Sequence, residues 1–175
     1  MNPDVGPGIP PDVLEALRRN SGIGLTREGR FTLYGRPLPN PRVEALFHRG
    51  LEVRGDDVVL TVGSRWCYVA CEGVARFVHG IRFTDAGLVA RLAAGREIET
   101  RDPALGYAPD DRLYLWLAPD EPPAVLLRAA HQEILARVDD AMTIPTPWGR
   151  PLEVLTLDAV PTPSTPTPVR PGSET

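Results

Sequence analysis

The sequence predicts an α+β protein of two small lobes, and three observations carry that reading. A strand–helix–strand–strand run appears twice, between residues 31–62 and 78–117. Two short helices open on proline, at Pro11 and at Asn40-Pro41, where the missing N–H is harmless and the asparagine supplies a cap. The segment Ser64–Cys71 alternates Trp66, Tyr68 and Ala70 against Cys67, Val69 and Cys71, the period of a half-buried strand.

In chain order, residues 1–11 hold four prolines and two glycines and read as a flexible arm. The first helix follows, with Val13, Leu14 and Leu17 as its apolar face and Asn20 to Gly22 as its stop. Gly24–Tyr34 reads as a hairpin closed by Arg27-Glu28-Gly29. Pro41 opens a second helix with Val43, Leu46 and Phe47 as its stripe, and Gly50 ends it. Strands at 51–53 and 58–62, joined by a turn holding Asp56-Asp57, complete the first unit.

The second unit predicts a strand at 78–83, then a helix capped at Thr84 with Leu88, Val89 and Leu92 inside. Gly95, a strand at 96–100, a loop ending in Asp110-Asp111 and a strand at 112–117 follow. Two copies fall short of a solenoid and suit two packed lobes, or a chance recurrence of common grammar. The longest helical pattern runs over 124–141 with Leu127, Ala130, Ile134 and Val138 on one side, and Leu152–Val160 makes a last strand. The expected division is an arm at 1–11, lobes at 12–77 and 78–160, and a tail at 161–175. That tail, PTPSTPTPVRPGSET, has one apolar residue, Val169, so it is expected to stay disordered and solvated.

Composition removes several functions. The net charge is −4 in 175 residues, which disfavours a nucleic-acid polymer as partner, and no apolar run is long enough to span a membrane. No charged-then-apolar leader is expected, which points to the cytoplasm. All 19 basic residues are arginine, a pattern that codon usage in a GC-rich genome explains better than selection for anion binding. Cys67 and Cys71, four apart on a strand, would stand about 13 Å apart, beyond disulfide reach. They read as free thiols, and Cys-x3-Cys with His79 does not make a metal site.

Catalysis finds no footing either. His48, His79 and His131 fall in separate elements, and Ser64 lies in Gly-Ser-Arg rather than in a nucleophile elbow. Gly22-Ile23-Gly24 lacks the other glycines of a phosphate loop. The Asp-Asp pairs at 56–57, 110–111 and 139–140 read as turns and solvated ends. No cofactor is implied, and the expected function is non-enzymatic binding.

Residues 23–78 resemble domain-of-unknown-function family 1285, a group of small bacterial proteins. The matching stretches are Arg27-Glu28-Gly29-Arg30-Phe31, Gly35-Arg36-Pro37-Leu38, Leu46-Phe47, Leu60-Thr61-Val62-Gly63-Ser64-Arg65 and Phe77-Val78. The resemblance implies two similar lobes, the second like a pleckstrin-homology fold, a ligand pocket between them and a role in signalling. It also departs from the pattern. The family's Pro and Glu after Thr61 are Val62 and Ser64 here, whereas Thr61 and the basic Arg65 are kept. If that glutamate contacts ligand, this chain binds something different or has lost the site.

The candidate ligand-binding residues are therefore Arg65, Thr61, Trp66 and Arg36. Arg65 beside Trp66 would clamp a carboxylate or phosphate, with Arg36 at the mouth of a cleft between the lobes. The expected ligand is a small anion or a nucleotide-like molecule. The alternative is an adaptor that docks a protein partner through a sheet edge or the proline-rich tail.

Overall fold

A computed structural model describes residues 9–169. Most of the arm's residues 1–11, and residues 170–175 of the tail, lie outside that range. The helix α1 (Pro11–Arg19) and the hairpin of β1 (Ile23–Leu25) and β2 (Phe31–Leu33) come first. Thr26 and Arg30 close the hairpin through a backbone bond of 2.9 Å. Tyr34 and Gly35 both take positive φ, +49° and +76°, the geometry of a tight two-residue turn into β3 (Arg36–Pro37).

The helix α2 (Pro41–Gly50) begins as its sequence demands, with the Asn40 side chain accepting from the Arg42 N–H at 3.0 Å. Glu44 then accepts from the Phe31 backbone N–H at 3.3 Å and from the Arg30 guanidinium at 3.0 Å, which fixes the helix to β2. The strands β4 (Leu51–Arg54), β5 (Asp57–Val62) and β6 (Arg65–Cys71) complete a six-stranded sheet in the order β3-β2-β1-β6-β5-β4. It is mixed, because β1 and β6 pair in parallel.

The remaining strands are β7 (Arg76–Thr84), β8 (Gly87–Leu92), β9 (Glu97–Thr100), β10 (Ala104–Tyr107), β11 (Leu113–Trp116), β12 (Ala124–Leu126), β13 (Thr143–Ile144) and β14 (Leu152–Thr156). They form a second mixed sheet, curled into a half-barrel, in the order β13-β14-β10-β11-β12-β7-β8-β9. A register shift between Val78 and Gly80 puts a bulge at His79, which adds to the curl. The helix α3 (Arg128–Leu135) packs on β7 and β12.

Two expectations from the sequence are corrected here. No helix follows Thr84: residues 87–92 are β8, and the Thr84 hydroxyl accepts from the Ala86 and Gly87 N–H groups at 3.2 Å to cap a turn. Gly87 through Ala90 are all buried, so the strand carries no polar face to reveal its period. The second half accordingly lacks the helix that a copy of the first unit requires. The long helix at 124–141 is likewise a buried strand, β12, followed by an eight-residue helix that stops at Leu135.

Two cores share the second sheet as a wall. Val78, Leu105, Leu113, Leu115, Ala124 and Leu126 face α3, whereas Phe77, Ala104, Tyr114, Trp116 and Val125 face the first sheet. The first sheet meets them with Leu25, Phe31, Val58, Leu60 and Val69. The helix α1 docks differently from its pattern. Val13 and Leu17 are 45% and 58% exposed, and the helix sits on β6 through Arg18, 4.0 Å over the Trp66 ring, and Arg19, 4.0 Å over Tyr68.

The tail also differs from expectation over its described part. The segment from Pro161 to Thr167 is held to the body: Pro161 is buried, and the Trp116 indole N–H donates to the Thr165 carbonyl at 3.1 Å, whereas Val169 is exposed.

His48 occupies the seam between the sheets. Its ring meets Phe31 edge-on at 4.9 Å and Phe77 at 5.7 Å, and Nε2 lies 2.9 Å from the Gly29 carbonyl. A carbonyl only accepts, so Nε2 bears a proton, and when the ring is neutral its tautomer is Nε2–H. Burial holds the His48 pKa below its ordinary 6.5. The unfolded chain therefore binds the proton more readily, and the neutral ring's contribution is complete above about pH 6.5 and is lost as pH falls below it. His79 and His131 are also lowered by burial and act in the same sense. The urea midpoint should drop from about pH 7.5 to about pH 5.5. His48→Gln should flatten part of that slope; an unchanged slope would assign it to the other two histidines.

Gly50 is where α2 touches β5. A Cβ there would lie 2.2 Å from the Thr61 carbonyl oxygen and 3.1 Å from Leu60 Cδ1. Backbone cannot yield as a side chain does, so Gly50→Ala should cost about 1–3 kcal/mol in equilibrium unfolding. A neutral substitution would show that α2 slides freely over β5.

Candidate functional site

Where the first sheet stops covering the second, a cleft of about 600 Å³ opens between them. The end of α2 and edge strand β4 line one side, and the β8–β9 hairpin lines the other, with Arg76, Phe77 and Glu121 at the back. Its volume is that of an ordinary small-molecule site. Leu51, Val53, Phe77 and Ile98 supply apolar surface.

The charges in the cleft are not balanced. Arg76 is ion-paired with Glu121, and Glu52 is engaged by Arg54 at 2.7 Å. Arg49 and Arg96 also line the cleft, and among the described residues neither has a carboxylate partner. Arg49 sits in the last turn of α2, where the helix dipole favours a cation. Arg96 follows Gly95, whose φ of +77° closes the β8–β9 turn. The result is two guanidiniums beside an apolar wall with no carboxylate partner among the described residues, an arrangement able to hold an anion that also carries a ring or short chain.

The residues singled out from the sequence lie elsewhere. Thr61 and Trp66 are directly opposed in the β5–β6 ladder, and Arg65 pairs with Val62 one step away. Consecutive residues on a strand point to opposite faces, so Arg65 does not share the Trp66 ring. That ring is instead covered by Arg18 at 4.0 Å and Arg54 at 5.5 Å, with Tyr68 edge-on at 5.3 Å. The Thr61 hydroxyl oxygen is buried without a hydrogen-bond partner. Arg36 is exposed on β3, three strands from β6 and about four residues along it from Arg65, hence roughly 19 Å away. None of these four residues lines the inter-sheet cleft.

Other chemistry is quiet. Cys67 and Cys71 are free thiols. Burial pushes the Cys71 thiol up, and it donates to the Gly73 carbonyl at 3.0 Å, so it stays protonated and unreactive. No group of three or more His, Cys, Asp or Glu side chains among the described residues is placed to hold a metal ion. No described helix is long and apolar enough to cross a membrane.

No family model and no curated protein matches the chain. Its architecture, in contrast, has solved counterparts. A DUF1285 family protein from Silicibacter pomeroyi DSS-3 superimposes with a TM-score of 0.61 over 78% of this chain and 81% of that one, at 13% identity. Another, from Shewanella baltica OS155, gives 0.51 over 66% and 91%, at 18% identity. Identities this low speak for the fold alone, and on that ground the resemblance carried by residues 23–78 holds: the chain has the fold of DUF1285 family proteins.

Proposed function

We propose that this is a non-enzymatic, cytoplasmic binding protein whose ligand is a small anion, held in the cleft between the two sheets. The carrying observation is the pair Arg49 and Arg96, cationic, without a carboxylate partner among the described residues and set beside Phe77 and Ile98. A guanidinium fork suits phosphate or carboxylate bidentately, and the apolar wall suits a ring or short chain attached to it. Nucleoside phosphates and aromatic carboxylates have that chemistry. The second lobe is read with its pleckstrin-homology likeness, supported by a curled sheet with a single helix packed on it.

A thermal-shift screen of inorganic phosphate, pyrophosphate, nucleoside phosphates and aromatic carboxylates tests this. A ligand at 100 times its Kd should add about 2.7 kcal/mol of stability. Arg49→Ala and Arg96→Ala should each weaken the best binder about tenfold, or about 1.4 kcal/mol. Arg65→Ala should leave its affinity unchanged and shift stability by no more than about 0.5 kcal/mol. A flat screen, or a best binder sensitive to Arg65 and indifferent to Arg49 and Arg96, would overturn the reading.

A further inference from the structure

The docked tail has partners in both sheets. The Ser164 hydroxyl donates to Asp56 at 2.6 Å, in the β4–β5 turn of the first sheet. The Trp116 indole N–H, from the middle of the second sheet, donates to the Thr165 carbonyl. The Thr167 hydroxyl donates to the carbonyls of Ala118 and Pro119, in the loop that follows β11. Within the segment, the Thr165 N–H bonds the Thr162 carbonyl at 3.1 Å, and the Thr162 N–H bonds the Thr165 hydroxyl at 2.7 Å. A stretch too polar to fold by itself is thus fixed by groups that other elements present to it.

Trp116 is 1% exposed, and without the tail its indole N–H would lack this partner. Aromatic side chains that hold proline-rich segments are a known mode of peptide recognition, and here the indole N–H reads the carbonyl that follows the turn at residues 163–164. We propose that residues 161–167 are a proline-rich peptide bound in cis to a groove over Trp116, and that their docking sets the charge of the cleft. The link is the loop after β11. Thr167 holds Ala118 and Pro119, and two residues further on Glu121 neutralises Arg76. With the tail docked, the loop is braced, Arg76 is occupied and the cleft offers Arg49 and Arg96 alone. With the tail released, the loop loses those anchors and Arg76 becomes a third cation for the anion.

The second half of this proposal rests on the anion-binding reading; the first does not. Hydrogen exchange on the full chain separates them. Amides of residues 162–167 should exchange at least about tenfold slower than in a free peptide of that sequence. The double variant Ser164→Ala, Thr167→Val should release them, raise exchange over residues 117–123 and tighten pyrophosphate binding about fivefold. Coupling is reciprocal, so saturating pyrophosphate should speed exchange of the tail in the unaltered chain by the same factor. Tail amides already exchanging at the free-peptide rate would overturn the proposal. So would a released tail that leaves residues 117–123 and pyrophosphate affinity unchanged. If pyrophosphate binds neither form, the anion-binding reading and the coupling to it fall, and exchange at 117–123 still decides whether the tail braces the loop.

Discussion

The structure depends on the burial of both faces of the second sheet's central strands. In β11, Leu113 and Leu115 go to the core under α3, and Tyr114 and Trp116 go to the core under the first sheet. Fully burying such side chains contributes about 1.5–3 kcal/mol each, and a strand with none exposed leaves no slack for a missing cover. The first sheet, α3 and the tail are the three covers. Tyr114 shows the demand this makes on polar groups: its hydroxyl donates to Asp110 at 2.8 Å, and burial raises its pKa so that it stays neutral. The cleft lies where the first cover runs out, between edge strand β4 of one sheet and the edge hairpin β8–β9 of the other.

Elements with local punctuation were legible in the sequence. Pro11, Asn40-Pro41 and the Arg27-Glu28-Gly29 turn each act through their own backbone geometry, and each is found where those residues placed it. The misread elements are those whose periodicity burial erased. Gly87-Leu88-Val89-Ala90 is apolar on both faces, and its apolar spacing suits a helix as well as a strand. Ala124-Val125-Leu126 runs without a break into the apolar residues of α3, so sequence alone merges them. The tail escaped for another reason. Its composition is that of a disordered chain, and what fixes it is a donor on Trp116, some 49 residues earlier.

The candidate cleft was less legible than the fold. Arg49, Arg76 and Arg96 come from a helix end, the start of a long strand and a hairpin turn, and only tertiary packing brings them together. In a chain whose 19 basic residues are all arginine, no one of them stands out by type. The strand period did hold usable information about Arg65 and Trp66. Neighbours on a strand face opposite ways, and that alone separates the two halves of the expected clamp. His48 carried a weak signal, a histidine near an apolar helix stripe, and its place between Phe31 and Phe77 is that of a neutral packing residue.

The sharing of one wall by two cores has a consequence for how the chain is made. The first sheet contains residues 23–71 only, so its strands can pair early. Its apolar face, Leu25, Phe31, Val58 and Leu60, is closed by side chains from residues 77–125. At about 5–20 residues per second, a chain emerging N-terminus first spends several seconds with that face formed and uncovered. Exposed apolar sheet surface is what drives misassembly and what chaperones recognise. The nascent chain therefore passes through an interval of greatest risk before β12 is complete, and its folding yield will depend on how crowded with like chains that interval is.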